Sequence, residues 1–345
     1  MGLHLSLTAL LGETVRMAEP RAAFELDEAT FGPITESLRR DLLLHCYRFT
    51  GSVSEAEDLV QETLARAWRG RSGYRADAGL RTWLRQIATR VCLDALRRAR
   101  GRRRLPSSPA ARIGEVLWLE PIHDDLIADA DADPAATYDL RESVSLAFLA
   151  ALQQLPPRQR AVLILRDVLA LSAAEVAEHL ETTVPSVNGL LHRARRTMGG
   201  AYRPAAAPRP PDATTTSLLR RYVSAWEAGD IAALLALLKH DAVLEMPPIP
   251  TASVGHAAIR TFLAGSILDG TPGRWHGVST EANGGPAVGL YQQDDGVYRF
   301  TGLQLLATDG DRIATITAYM DCSLAERFHL PATIAPRSRD LSGRP

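Results

Sequence analysis

Charge along this chain of 345 residues is sorted into blocks. Between Arg66 and Arg104 stand thirteen arginines against two acids, Asp77 and Asp94. Residues 113–140 then carry eight acids (Glu115, Glu120, Asp124, Asp125, Asp129, Asp131, Asp133, Asp139) and no Lys or Arg. A basic block beside an acidic one predicts a polyanion-facing surface next to a segment with another purpose, although the formal net charge is only −1. Lys239 is the only lysine, an imbalance that fits a GC-rich genome better than a binding demand. Apolar residues at 46% and charged residues at 23% exclude whole-chain disorder. No run approaches the ~20 apolar residues of a membrane helix, so no membrane is expected. Cys46, Cys92 and Cys322 lie far apart without a CxxC or Cys/His cluster. That spacing predicts neither a zinc site nor a disulfide framework, and suits a reducing cytoplasm. The length predicts two to three domains at ~100–200 residues each.

Helical periodicity organises the first part. Leu38, Leu42, Leu43, Cys46 and Phe49 recur at helical spacing until Gly51-Ser52. Ser54, three residues before Glu57, predicts a capping box that opens a helix through Trp68. A loop at 71–79 precedes a long basic helix from Leu80 to about Arg100. The acidic, proline-punctuated stretch that follows has no sustained period and reads as a linker. Helices resume near Tyr138. One covers Arg158–Val168, and Ser172 with Glu175 forms a second capping box for a short helix to Leu180. Glu181-Thr182-Thr183 turns the chain into a helix from Val184 to Met198, with Pro185 in its first turn, where a missing N–H costs little. Two helices joined by a three-residue turn, the second ending in Arg193, Arg195 and Arg196, read as a helix-turn-helix.

A helix of this kind docks its N-terminal residues on base edges and its C-terminal cations on phosphate. Ser186, Asn188, His192 and Arg193 are therefore the candidate readers, with Arg195 and Arg196 as phosphate contacts. The bland alternative is two packed helices. For the basic helix it is a solvated face. Two such candidates on one chain strengthen the nucleic-acid reading of both. Further along, Arg203–Thr216 reads as a flexible spacer. Helices at Leu218–Ala228 and Ile231–Leu238, the second capped by Asp230, give way to a strand at Val243–Met246 and a helix at His256–Ala264. Strands at Gly289–Gln292, Tyr298–Leu306 and Ile313–Met320 follow, separated by Asp/Gly turns. This order predicts a separate α+β domain with antiparallel strands.

The string Ser54-Glu55-Ala56-Glu57-Asp58-Leu59-Val60-Gln61-Glu62-Thr63, with Thr82-Trp83-Leu84, Ala88 and Asp94, resembles region 2 of sigma-70-type RNA polymerase sigma factors. Leu155-Pro156, Arg160, Leu163 and Arg166, then Glu175-Val176-Ala177 and Val187 with Leu191-His192-Arg193-Ala194-Arg195, resemble region 4. With only a linker between them, the pair is similar to the extracytoplasmic-function (group IV) sigma factors. The resemblance implies that core RNA polymerase and promoter DNA are the partners. Asp58, Gln61 and Glu62 would meet the β′ clamp. Tyr74, Trp83, Arg85, Thr89, Arg90 and Arg97 would hold the −10 element, where melting needs bases stacked on a basic, aromatic surface. The helix-turn-helix would read the −35 element beside the β subunit.

Leu219–Met246, with Trp226, Gly229-Asp230 and Asp241-Ala242-Val243-Leu244-Glu245-Met246, is similar to the SnoaL-like branch of the nuclear transport factor 2-like superfamily. That resemblance implies a curved sheet whose helices enclose an apolar pocket for a small apolar ligand, with Trp226, Met246, Trp275 and Tyr319 as candidate lining. It also implies cis regulation of the sigma domains, with Trp118 and Pro121 as the contact between linker and extension. Relatives use pocket carboxylates as bases, and Asp241, Glu245 and Asp321 are the available ones, but their placement marks none as catalytic. The expectation is therefore a multidomain protein: two all-α sigma domains plus an α+β SnoaL-like curved-sheet domain, not an enzyme, with no cofactor and no metal. Its divisions are a disordered extension (1–23), region 2 (24–105), acidic linker (106–137), region 4 (138–202), spacer (203–216), regulatory domain (217–330) and disordered tail (331–345). Met1–Ser6 formally matches a myristoylation pattern, set aside because nothing else reads as eukaryotic, and Met17 is an alternative start. The competing function is a stand-alone helix-turn-helix regulator with a ligand-binding domain.

Overall fold

The computed structural model describes residues 27–74, 79–102, 119–127, 139–201, 213–247, 249 and 252–336. The expectations for 1–23, for Trp118 and for the end of the tail beyond Pro336 fall outside these residues. The chain forms two compact units: 1–105 with 149–202, and 106–148 with 203–345.

In the first unit α1 (Glu28–Thr50) starts at Asp27, whose carboxylate accepts the Thr30 N–H at 2.9 Å, and stops at Gly51 in the left-handed region. That turn leaves Ser52 extended immediately before α2 (Val53–Gly70), and Ser52 Oγ accepts the Glu55 N–H at 3.1 Å. The expected Ser54–Glu57 capping box is therefore corrected: the helix begins two residues earlier because the glycine turn delivers Ser52 to the cap position. The apolar stripe Ala56, Leu59, Val60, Thr63 and Ala67 turns inward. It packs with α1 and α3 (Leu80–Arg102), whose Leu84, Ala88, Val91 and Cys92 are fully buried. Each large aliphatic side chain so buried contributes roughly 1.5–3 kcal/mol.

The rest of this unit is helical too. Helix α4 (Leu146–Gln153) begins before the unit boundary, and α5 (Pro157–Leu163) runs on into a wide turn at Ile164–Val168. Helix α6 (Ala173–His179) carries the expected capping box: Ser172 Oγ accepts from Glu175 N at 3.2 Å, and Ser172 N donates to Glu175 Oε2 at 2.6 Å. Glu181, at φ 49°, completes the turn into α7 (Val184–Ala201). Val162, Leu165, Val176, Val187 and Leu191 form the small core of this helix-turn-helix.

In the second unit α8 (Ala213–Ala228) begins inside the stretch expected to be spacer, correcting its end from 216 to 212. Asp230 caps α9 (Ile231–Ala236), accepting Ala233 N–H at 2.9 Å. The sheet comprises β1 (Leu238–Glu245), β2 (Ala252–Val254), β3 (Trp275–Ala282), β4 (Gly285–Asp294), β5 (Val297–Asp309), β6 (Arg312–Tyr319) and β7 (Thr333–Ile334), with α10 (Gly255–Ser266) after β2 and α11 (Leu324–Arg327) after β6. Its order is β2-β1-β6-β5-β4-β3, with β7 on β5. All pairs are antiparallel except β1 with β6, which corrects the antiparallel expectation. Strand β7 pairs Thr333 and Ile334 with Arg299 and Tyr298, so residues 331–336 do not belong to a disordered tail. Side-chain alternation divides the sheet into two cores. Leu244, Val288, Leu290, Leu306 and Ile316 join Tyr222 and Trp226 of α8 on one face. Tyr291, Phe300, Leu303, Leu305 and Tyr319 join Phe328 on the other.

Residues 119–127 and 139–148 belong to this second unit, which moves the boundary expected at 138 to 148. Of that strap, Ile122, Ile127 and Val144 are fully buried. Apolar side chains set among the acids give it a core to join.

Candidate nucleic-acid interface and its internal contacts

Helix α7 is held by Val187, Leu191, Ala194 and Met198, which leaves the other side of the helix outward. Asn188, His192, Arg193, Arg195 and Arg196 are exposed there, and Ser186 is half-buried in the first turn. Arg195 is engaged by Asp167 through two bonds of 3.0 and 2.6 Å. The face thus offers exposed donors at the turn end and cations toward the C-terminus, the arrangement a major-groove helix needs.

On α2, Asp58 and Gln61 are exposed. Glu62 is half-buried and accepts from Arg66 Nε at 2.7 Å, while Arg66 reaches Asp94 at 3.3 Å. That bond holds the Glu62 carboxyl below its ordinary range. The three residues fall within one turn of α2.

The candidates on and before α3 divide. Tyr74 and Trp83 are half-buried and pack with centroids 5.1 Å apart, their planes tilted by 48°. Arg97 is exposed and pairs with Asp94 at 3.0 Å. Arg85 is tied to Asp41 of α1 through Nε at 2.8 Å and a second contact. Arg90 reaches Glu181, in the helix-turn-helix turn, at 2.7 Å. Thr89 is fully buried, and its expected role as a surface contact is corrected in this conformation. It lies on the side of α3 that meets α1 and α6.

The hydrogen bonds around Thr89 resolve completely. Its hydroxyl donates to Arg85 O at 2.8 Å, so its oxygen can only accept from His45 Nε2 at 3.0 Å and His179 Nε2 at 3.1 Å. Both imidazoles must carry the proton on Nε2. Burial pushes His45 well below its ordinary pKa, and His179 down to about 4. Arg160, also buried, donates to the Phe49 carbonyl at the end of α1 and to Gln153 O at 3.0 Å. The sequence singled out Arg160 only as part of a motif and missed both histidines, because a buried histidine carries no periodic mark of its own.

In the second unit the strap is clasped by the β3–β4 turn. Asn283 N donates to Ile122 O at 2.9 Å, Ile122 N donates to Asn283 Oδ1 at 3.1 Å, and Asn283 Nδ2 donates to Val144 O at 2.8 Å. Gly284 N donates to Asp124 Oδ1 at 2.8 Å. Asn283, at φ 53°, and Gly284, at φ 79°, turn their amides toward the strap. Pro121 is buried here, and Glu120 meets Arg327 at 3.2 Å. Burial lifts the Asp124 carboxyl to about 7, although Arg141 approaches to 3.6 Å. The sequence read Asn283-Gly284-Gly285 only as a turn. A left-handed asparagine that is itself buried was the missing clue.

A cavity of about 190 Å³ opens on the helical face of the sheet. Trp226, Met246 and Trp275 line it, with Phe262, Leu290 and Ala318 among the walls and Arg274, Gln292, Thr301 and Gln304 as polar groups. Tyr319 is a correction: it alternates to the opposite face and packs in the Tyr291–Phe328 core. Alternation also removes Glu245, which accepts from Thr317 Oγ1 at 2.8 Å on that other side. Asp241 is exposed, and Asp321 accepts from Ser323 N at 2.9 Å. None of these carboxylates lines the cavity.

Residues 34–102 match the family description Sigma-70 region 2, residues 145–198 match Sigma-70, region 4, and residues 219–316 match SnoaL-like domain. The ECF RNA polymerase sigma factor SigG of Mycobacterium tuberculosis is 44% identical over 319 residues, covering 88% of this chain and 85% of that protein. SigJ of the same organism is 32% identical over 245 residues, covering 69% and 73%. The crystal structure of SigJ shares the fold at a TM-score of 0.57 and 23% identity, over 87% of this chain and 99% of that one. A stand-alone regulator has no use for residues 34–102, and the relatives lend it no support. With both sigma regions in order ahead of a SnoaL-like domain, the chain belongs to the ECF RNA polymerase sigma factors.

Proposed function

We propose that this sigma factor works in the cytoplasm and is regulated in cis by its SnoaL-like domain. The observation that carries the reading is the clasp between Asn283-Gly284 and Ile122-Asp124, which builds the segment between regions 2 and 4 into the C-terminal unit. Whatever holds that strap limits how regions 2 and 4 spread along a promoter. Asp58, Gln61 and Glu62 dock on the β′ clamp, with region 4 near the β subunit. Ser186, Asn188, His192, Arg193, Arg195 and Arg196 meet the −35 element. Tyr74, Trp83, Arg85, Arg90 and Arg97 meet the −10 element, and Thr89 does so only after the contact between α3 and α6 opens. Arg90 and Thr89 are both engaged by the helix-turn-helix in this conformation, which supports a resting form that must open before it binds DNA.

The C-terminal domain acts through contacts and not through turnover. Its cavity is walled mainly by apolar and aromatic side chains and, among the described residues, has no lining carboxylate or imidazole to serve as a base. A small apolar molecule is the ligand class that fits it. The test is run-off transcription with core RNA polymerase on the protein's own upstream DNA, comparing the full chain with one ending at Tyr202. Core-dependent initiation that differs between the two upholds the proposal, and the difference gives its sign. Equal initiation by both removes cis regulation. Arg193→Ala should reduce −35-dependent initiation, whereas Arg90→Ala should reduce opening and be relieved on a pre-melted template.

A further inference from the structure

We propose that His123, Asp125 and His329 form a site for a divalent transition cation that ties the strap to the C-terminal domain. The three ligand atoms lie within 4.8 Å of one another. His123 is the fixed member. Its backbone makes a bridge with Ala282, its ring packs edge-on against Phe328 at 5.3 Å, and its side chain is only 14% exposed. Its Nδ1 accepts the Asp125 N–H at 3.1 Å, so the ring proton sits on Nε2, toward Thr280 Oγ1 at 3.5 Å. Asp125 Oδ2 stands 3.4 Å from the same Nδ1, so a cation bound there takes the place of the Asp125 N–H on that lone pair. A polar partner on the far nitrogen is the usual way a metal-binding imidazole is oriented.

His329 approaches from the other chain segment. Its Nε2 is 3.9 Å from the same Asp125 Oδ2, and its ring stands 5.2 Å from that of His123, nearly perpendicular. Its backbone is left-handed at φ 52°, a conformation that costs a non-glycine residue about 1 kcal/mol or more. The loop holds it there through Leu330 N to Ala325 O at 2.9 Å. A cation bound at ~2.0–2.2 Å needs ligand atoms about 3–3.5 Å apart. Asp125 and His329, whose side chains are 74% and 73% exposed, are free to close that distance. Two imidazoles and one carboxylate suit zinc, cobalt(II) or nickel(II), whereas magnesium and calcium require oxygen-rich shells. Asp125 and His123 lie in the strap and His329 follows α11, so one ion would fasten the strap to the segment that Arg327 already meets through Glu120.

The test uses full-length, tag-free, chelator-stripped protein titrated with Co²⁺ by visible absorption and with Zn²⁺ by calorimetry. One equivalent should bind, with affinity reduced at least about tenfold in His329→Ala and in Asp125→Asn. His256→Ala is the control, because His240 and His256 form another imidazole pair, 5.7 Å apart. Zn²⁺ should also slow proteolysis within residues 106–148 of the parent protein and not of His329→Ala. Absence of saturable binding, binding untouched by both exposed substitutions, or equal loss in His256→Ala overturns the site. Binding without protection overturns its role as a fastener. No readout involves polymerase, so this outcome is separate from the fate of cis regulation.

Discussion

At Thr89 a single hydroxyl satisfies two imidazoles and a carbonyl, with all three partners inside the protein. Thr89→Val keeps the shape and leaves two buried N–H donors unpaired, a loss of roughly 1–3 kcal/mol. Urea unfolding of the full chain should show that loss in its first transition. The same two histidines give a pH dependence. His179 titrates near 4 when folded against an ordinary value of 6.5, and burial lowers His45 in the same direction. The folded form therefore binds fewer protons across that interval, so its stability is fully present above about pH 6.5 and is lost as pH falls toward 4. His179→Gln should make the urea midpoint less dependent on pH between 7 and 5, and an unchanged dependence would refute this assignment. Neither histidine was legible as a partner of Thr89 in the sequence. Helical spacing gives the face on which a residue lies, but it gives no information on which distant helix covers that face.

Among the elements, the β3–β4 turn bears on two further measurements. A Cβ on Gly284 would stand 2.8 Å from Arg141 Cβ, on a backbone at φ 79° that favours glycine. Gly284→Ala should release the strap, giving new proteolytic cleavage within 119–148 while cleavage within β4–β6 stays slow. Asp124, raised to about 7 by burial, binds its proton more tightly when the strap is docked than when it is free. Docking is accordingly strongest at low pH and weakens as pH rises from about 4 to 7. Asp124→Asn imitates the neutral acid, and should make strap protection independent of pH between 6 and 8. Helices were the legible elements, since α2 and α7 each repeat an apolar stripe over several turns and α6 announces its start at Ser172. Strand β3 escaped notice because it is mostly half-buried, with a burial pattern of single buried ends around a polar middle, so no alternation marks it. Most of the strap escaped for a related reason: nine acids between 106 and 148 overwhelm Ile122, Ile127 and Val144, which are the residues that pack.

For the whole molecule, the order of units along the chain matters as much as their folds. Backbone from the first unit enters the second at residue 106, returns at 149 and leaves again after 202. Ending the chain at Tyr202 therefore strips the strap of its partner and exposes Ile122, Ile127 and Val144. The shortened protein should bind an apolar dye more strongly than the full chain, an effect that replacing 106–148 by a polar linker should remove. The sigma domains and the SnoaL-like domain were both legible from motifs, whereas the linker's contact with the extension was legible only at Trp118 and Pro121, because motifs identify folds one at a time. Synthesis proceeds from the N-terminus at about 5–20 residues per second, so roughly 4–16 s separate the emergence of Tyr202 from that of Asn283-Gly284. Throughout that interval a nascent chain already possesses everything needed to read a promoter, while the turn that clasps its strap has yet to be completed. Docking of the strap on the C-terminal domain is thus a property each molecule acquires late in its own translation.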